Sequence, residues 1–298
     1  MKISGITIAY RAVENGYPLT ESLRSLLPLC DEIVANVGRS DDGTLEAIAG
    51  LGVDRIRLLE EEWDLSLREK GLLLSRETNR ALDAATGDWV VYLQADEVLH
   101  ERDIEGLRDL MASCERRSSG CVRSHVDGIE LGYFHFYGST RFVQDNPFGW
   151  YTRAVRVVRR DPAIRSVGDA LKFRRIEGGR SHRLRAVRSA ARVYHYGWAR
   201  PPEVMLKKQR HFDRFWHSDD EVARRYATID ARTIYADTAN LVPFAGTHPA
   251  VMAERVAAST WAFDPGPRSR WPRWARIALL AVRHPLGKVL ARWRGSKP

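Results

Sequence analysis

Apolar positions in the first third of the chain follow two alternating rhythms. Short continuous runs, "ISGITIAY" (3–10), "DEIVANVG" (31–38), "DRIRLLE" (54–60) and "WVVYLQ" (89–94), have the length of buried strands. Between them leucines and alanines recur at helical spacing in "LTESLRSLLPLC" (19–30), "DGTLEAIAGLG" (42–52) and "LREKGLLLSRETNRALDAATG" (67–87). A fourth helix, "ERDIEGLRDLMASCERR" (101–117), follows the fourth strand. Pro28 is expected to stop the first helix, Ser40 or Asp41 to cap the second, and Gly87 to close the third. This alternation, with short connections, predicts an α/β fold with a mainly parallel central sheet and helices on both faces.

The rhythm breaks near residue 120. Residues 121–200 mix strand-like runs, "TRAVRVVRR" and "AARVYHYGWA", with aromatic and Gly-rich loops, and "PPEVMLKKQRHFDRFWH" (201–217) reads as a helix opened by prolines. We expect one domain in two functional halves, 1–120 and 121–264, followed by a helical C-terminal extension, 265–298.

Composition changes this picture in one place. The formal charge is +9, yet after Asp264 there are nine basic residues and no acidic one, so the body is neutral and the excess sits in the tail. The tail interleaves Trp271, Trp274, Ile277, Leu280 and Leu286 with arginines, a pattern suited to an anionic membrane surface. A terminal helix docked on the domain is the plainer reading. Nucleic acid is not expected as a partner, because the neutral body carries no recognisable nucleic-acid module. Cys30, Cys114 and Cys121 lack metal-like spacing and fit a reducing cytoplasm. The N-terminus reads directly as a strand, with no export signal expected. The expected location is therefore cytoplasmic, with peripheral attachment to the inner membrane face if the tail binds lipid.

The candidate chemistry lies where the fourth strand ends. Ligands of open parallel sheets sit beyond the carboxyl ends of the strands, and there the chain delivers Asp96 and Glu97. Two readings stay open. Asp96 caps the following helix and Glu97 is solvated, or the two hold a divalent cation, Mg2+ or Mn2+, that shares its remaining positions with substrate phosphates. No G-x-G-x-x-G follows the first strand and no P-loop motif occurs, which argues against a dinucleotide dehydrogenase or a P-loop enzyme. His195, between two tyrosines on a strand-like run, is either a packed core histidine or a ligand. Asp145 and Asp169 are either turn aspartates or candidates for a general base.

The order "DEIVANVGRSDDGT", then "TNRALDAATGDWVVYLQADEVLH", resembles the nucleotide-sugar-binding half of family 2 glycosyltransferases, which have the GT-A fold. The downstream "VYHYGWARPPEVMLKKQ" and "PFAGTHP" are similar to a bacterial subgroup of that family. The resemblance implies a GT-A-like fold and transfer of a sugar from a nucleotide-diphosphate sugar to an acceptor hydroxyl. The acceptor would be a glycan, a lipid-linked or a small molecule, and a membrane-bound tail would point to surface polysaccharide or glycolipid assembly.

Residue by residue, Asp96 matches the second acid of the family's D-x-D motif, the metal contact. Gln94 stands where the first acid usually stands and can still hydrogen-bond a ribose hydroxyl, though without charge. Glu97 is placed as a compensating ligand, and His195 as the downstream histidine that completes such metal sites. An imidazole ligand favours Mn2+. Arg200, Lys207 and Lys208 would hold the diphosphate, with Arg200 or Lys207 aiding the leaving group. Tyr10, Arg11, Asn36, Asp41, Asp42 and Asn79 would cradle the nucleoside and sugar. Val37 stands where the family commonly has a base-reading Asp. Asp169, exposed after a Gly, is preferred over Asp145 as the base. The rivals are a nucleotidyltransferase and a non-catalytic relative that binds a glycan or membrane.

Overall fold

Short apolar runs become a sheet because neighbouring strands bury both faces at once. The computed structural model describes residues 1–67, 71–115, 126–235 and 238–266. In it β1 (Ile3–Ala9), β2 (Glu32–Gly38), β3 (Ile56–Glu61) and β4 (Trp89–Tyr92) alternate with α1 (Leu19–Leu26), α2 (Thr44–Ala49) and α3 (Leu72–Ala84). β1 pairs in parallel with β2 and β4, and β2 with β3. Successive strand residues feed opposite cores, as the pleat requires. Ile3, Ala9, Trp89, Val91 and Leu93 pack with α1 and α2, whereas Ile6, Ile8, Val90 and Tyr92 pack with α3. Helices thus cover both faces, as expected. α1 ends two residues before Pro28, earlier than its leucine pattern suggests; Leu27 still has helical φ and ψ, but Pro28 has no N–H to continue the ladder.

The second half extends the same sheet with reversed strands. It contains β5 (Glu97–Leu99), α4 (Ile104–Glu115), β6 (Gly128–Tyr137), β7 (Ser139–Gln144), β8 (Arg153–Arg159), β9 (Ile164–Val167), β10 (Lys172–Glu177), β11 (Arg180–Arg183) and β12 (Ala186–Trp198). After these come α5 (Pro202–Asp213), α6 (Asp219–Tyr226), β13 (Leu241–Pro243) and α7 (Ala253–Ala257). The main sheet runs β13-β7-β6-β8-β4-β1-β2-β3, with β12 and β5 joined to it through β6, while β9, β10 and β11 form a separate three-stranded sheet. β8 is antiparallel to both β4 and β6, and β12 is parallel to β6 and antiparallel to β5. The β3-β2-β1-β4 centre of the fold is parallel and the flank beyond β4 is mixed, the GT-A arrangement.

Among the described residues no helix is long and apolar enough to cross a membrane. The boundary expected near residue 120, and nearly all of the basic tail, lie outside the described residues.

Candidate active site

β1 and β4 are parallel neighbours, so their carboxyl ends open on one edge of the sheet. There Ile8, Ala9 and Tyr10 face Gln94, Ala95 and Asp96 across a cavity of about 280 Å3. The far wall comes from the second half: His195 and Trp198 of β12, Asp169, and Lys208, His211 and Phe212 of α5. The three α5 residues stand at i, i+3 and i+4, which is one face of a helix. That periodicity decides between the two adjacent lysines. Lys208 turns into the cavity, and Lys207 turns out to pair with Glu14 at 3.0 Å.

Antiparallel pairing of β5 with β12 sets His195 opposite Glu97, and the Tyr196 N–H donates to the Asp96 carbonyl at 2.8 Å. Asp96 Oδ2 and His195 Nε2 therefore meet at 3.5 Å. Burial raises the Asp96 carboxyl, but His195, Lys208 and Arg200 outweigh it and hold the group well below the usual carboxylate range. A hydrogen-bond chain orients the imidazole. The Tyr151 carbonyl can only accept, so His135 donates to it from Nε2 at 2.7 Å. Burial, then the neighbouring His195, lower His135 to about 3. Its Nδ1 thus carries a lone pair and accepts from His195 Nδ1 at 2.9 Å. This turns His195 Nε2 toward the Asp96 carboxylate. Between these two atoms there is a place for a proton or, once Nε2 has given its proton up, for a metal ion.

The space for such an ion is defined by Gly197. A Cβ at that position would lie 2.5 Å from both Asp96 Oδ2 and His195 Nε2, so only glycine keeps the pocket between them open. Two donors 3.5 Å apart can share one ion with bonds of about 2.1 Å. Among the described residues no group of three or more His, Cys, Asp or Glu forms a metal cage. Asp96 and His195 would hold a divalent ion only with substrate oxygens in the remaining positions, as Mg2+ and Mn2+ are commonly held.

Lys208 supplies the second charge. Its Nζ donates to the Gly197 carbonyl at 3.4 Å and sits 5.3–5.8 Å from the ring centres of Tyr17, Trp198 and Phe212. Burial lowers its ammonium to about 8, against the attraction of Asp96. Opposite, Asp169 stands in a turn between Gly168 and Ala170, whose φ values are 62° and 61°. A left-handed alanine is uncommon, and such strain clusters where a side chain must be presented. A second cleft, lined by Tyr10, Arg11, Arg39, Ser40, Asp41, Glu62 and Trp63, shares the stacked Tyr10–Trp63 pair with the cavity.

Tyr10, Gln94, Asp96, Asp169 and His195 are thus brought to one cavity, with Arg11 and Asp41 in the adjoining cleft. Other expected site residues are used elsewhere. Glu97, expected as a ligand, is fully buried and committed. Arg156 donates to both its oxygens, at 2.9 and 2.8 Å, Tyr133 OH to one at 2.8 Å, and the Gln94 N–H to the other at 3.1 Å. Asn36 is buried under α3 and donates to the carbonyl and the side chain of Glu77. Asn79 ties α3 to β9 by a reciprocal pair of bonds with the Ser166 backbone. Asp42 braces the loops, accepting from the Glu14 N–H, Ser40 and Thr44. Arg200 is buried behind the cavity wall, stacked on Tyr17 and donating to the Asn15 carbonyl at 2.6 Å. Asp145, just past β7, does not line the cavity; its N–H donates to the Asn240 carbonyl.

Trp63, Tyr17 and Arg156 escaped the sequence reading. Only Arg156 left a signal there, as a charge on the same strand face as Val158 in "TRAVRVVRR".

Residues 4–176 match the family model described as glycosyl transferase family 2. Among solved structures, S. aureus TarS 1-349 is similar at 17% identity over 80% of this chain and 73% of that chain, with a TM-score of 0.41. Its complex with UDP-GlcNAc gives 18%, 76%, 71% and 0.43. Glucosyl-3-phosphoglycerate synthase from Mycobacterium tuberculosis, in complex with Mn2+, UDP and phosphoglyceric acid, is 19% identical over 44% of this chain and 43% of that chain, with a TM-score of 0.29. No curated protein matches the chain.

Proposed function

The chain belongs to glycosyl transferase family 2, and on that footing we propose that the cavity beyond β1 and β4 transfers a sugar from a nucleotide-diphosphate donor to an acceptor hydroxyl. The observation that carries this reading is the convergence of Asp96, His195 and Lys208 around Gly197. A buried acid, an oriented imidazole and a buried ammonium suit a diphosphate held partly by a cation and partly by a charge-assisted bond. Gln94 has no carboxylate to offer there and is assigned to a ribose or sugar hydroxyl. The Tyr10–Trp63 stack is assigned to the nucleoside, with Arg11 and Asp41 at its edge.

In the reaction, Asp169 accepts the proton of the acceptor hydroxyl as its oxygen bonds to the anomeric carbon. The bond from that carbon to the diphosphate oxygen breaks, and its electron pair leaves with the nucleoside diphosphate. Lys208, and Arg200 behind the wall, stabilise the charge that grows on the departing phosphate. A divalent ion at Asp96 and His195, when bound, neutralises more of that charge.

Calorimetric titration of UDP, GDP, CDP and dTDP, each with Mn2+ and with EDTA, tests the reading. One nucleotide is expected to bind with metal support, and Asp96→Ala to weaken it by about 100-fold, the scale of a lost charge-assisted contact. Binding of none of the four would remove the donor assignment. Full turnover by Asp96→Ala would remove the metal role.

A further inference from the structure

A second cavity of about 280 Å3 adjoins the first and shares Tyr151 and Leu171 with it. Its lining is strongly basic: Arg153, Lys172, Arg174 and Arg183 face a single acid, Glu130. That acid is divided between Arg153, at 3.8 Å, and Arg188, at 3.6 Å.

The register of the small sheet sharpens the imbalance. Arg174 of β10 stands directly opposite Arg183 of β11 and Arg165 of β9. Like charges at facing positions, with Cβ atoms ~5 Å apart, destabilise a sheet. Arg165 is neutralised by Asp83, but among the described residues Arg174 and Arg183 form no salt bridge. Acids are within reach of the other face of this hairpin. Arg175, on the opposite face, reaches Asp127 at 2.7 Å, Asp161 at 2.8 Å and Glu177 at 3.0 Å. The repulsion is therefore confined to the face that lines the cavity, where a bound anion would relieve it.

The wall between the two cavities contains the proposed base. The Leu171 N–H donates to Asp169 Oδ1 at 3.3 Å, and the Leu171 carbonyl accepts from Arg156 at 3.2 Å. A molecule whose charged group enters the second cavity would therefore pass over Leu171 and reach Asp169 with its uncharged end.

We propose that the second cavity is the anion subsite of the acceptor: Arg174 and Arg183, with Lys172, hold a phosphate or carboxylate on the acceptor, and its hydroxyl meets Asp169. This rests on the donor reading of the first cavity. The charge has two sources, a soluble anionic acceptor or a lipid headgroup, and the chemistry is common to both.

The test titrates inorganic phosphate into the full-length protein saturated with its nucleotide. Wild type and Arg180→Gln are expected to bind, and Arg174→Gln/Arg183→Gln to bind at least tenfold more weakly with unchanged nucleotide affinity. The double variant should melt no lower than wild type, since it loses a repulsive pair. No phosphate binding by wild type, or equal binding by the double variant, would overturn the subsite. Loss of nucleotide binding in wild type would instead fail the donor reading. Sedimentation with phosphatidylglycerol and phosphatidylcholine vesicles separates the sources. Anionic-vesicle binding weakened by the double variant identifies a headgroup, and binding independent of it identifies a soluble acceptor.

Discussion

Glu97 and Arg156 offer the most decisive single perturbation, because Glu97 directly follows the proposed ligand Asp96 in the chain. Both side chains are fully buried and joined by two parallel hydrogen bonds. Breaking a buried pair from one side strands the other charge and costs about 3–5 kcal/mol. Glu97→Gln and Arg156→Met should each fall in that range. Together they should cost only about 1–2 kcal/mol, since no charge is stranded and the amide oxygen can still accept from Tyr133 OH. Urea unfolding of the two single variants and the double gives the coupling, with nucleotide affinity measured on the folded fraction of each. The reasoning fails if Glu97→Gln unfolds like wild type while metal-supported nucleotide binding is lost, for Glu97 would then be a ligand and not an anchor.

Gly197→Ala drives a methyl between Asp96 and His195; metal-supported nucleotide affinity should fall at least tenfold, a loss of about 1.4 kcal/mol, and unchanged affinity by calorimetry would rule out an ion there. Lys208→Met removes an ammonium that burial has lowered from 10.5 to about 8. The folded chain gives up that proton first, so stability should rise with pH between about 8 and 10.5, and the full penalty of about 3 kcal/mol applies at pH 7. The variant should therefore be more stable than wild type at pH 7, lose this pH dependence in denaturant titrations, and bind the nucleotide diphosphate weakly. A variant that is less stable at pH 7 would contradict the burial argument.

How much of the site was legible depends on how far apart its partners lie in the chain. Asp96 could be placed at a strand's carboxyl end from the run "WVVYLQADE" alone, because strand length and parallel order follow from local periodicity. Lys208 and Lys207 are neighbours in sequence, and only the face that α5 turns to the sheet separates a cavity lysine from a solvent one. Glu97 looked like half of an acidic pair. Its partner Arg156 is 59 residues away, and His135, which orients His195, is 60 residues from it. No local pattern reports such pairings.

The sequence alone determined the alternation of strands and helices, the parallel first half, the strand-end position of Asp96 and the family. These follow from periodic burial and short connections, which act over a few residues. The tertiary structure decided which polar groups share a dielectric environment. The reversal of β8 and β12 against β4 and β5 brings His195 to Asp96 and encloses Arg156 with Glu97, and the antiparallel pairing of β10 with β11 aligns Arg174 with Arg183. Pairing of buried charge depends on register and sheet curl, and these are set by the packing of the whole domain.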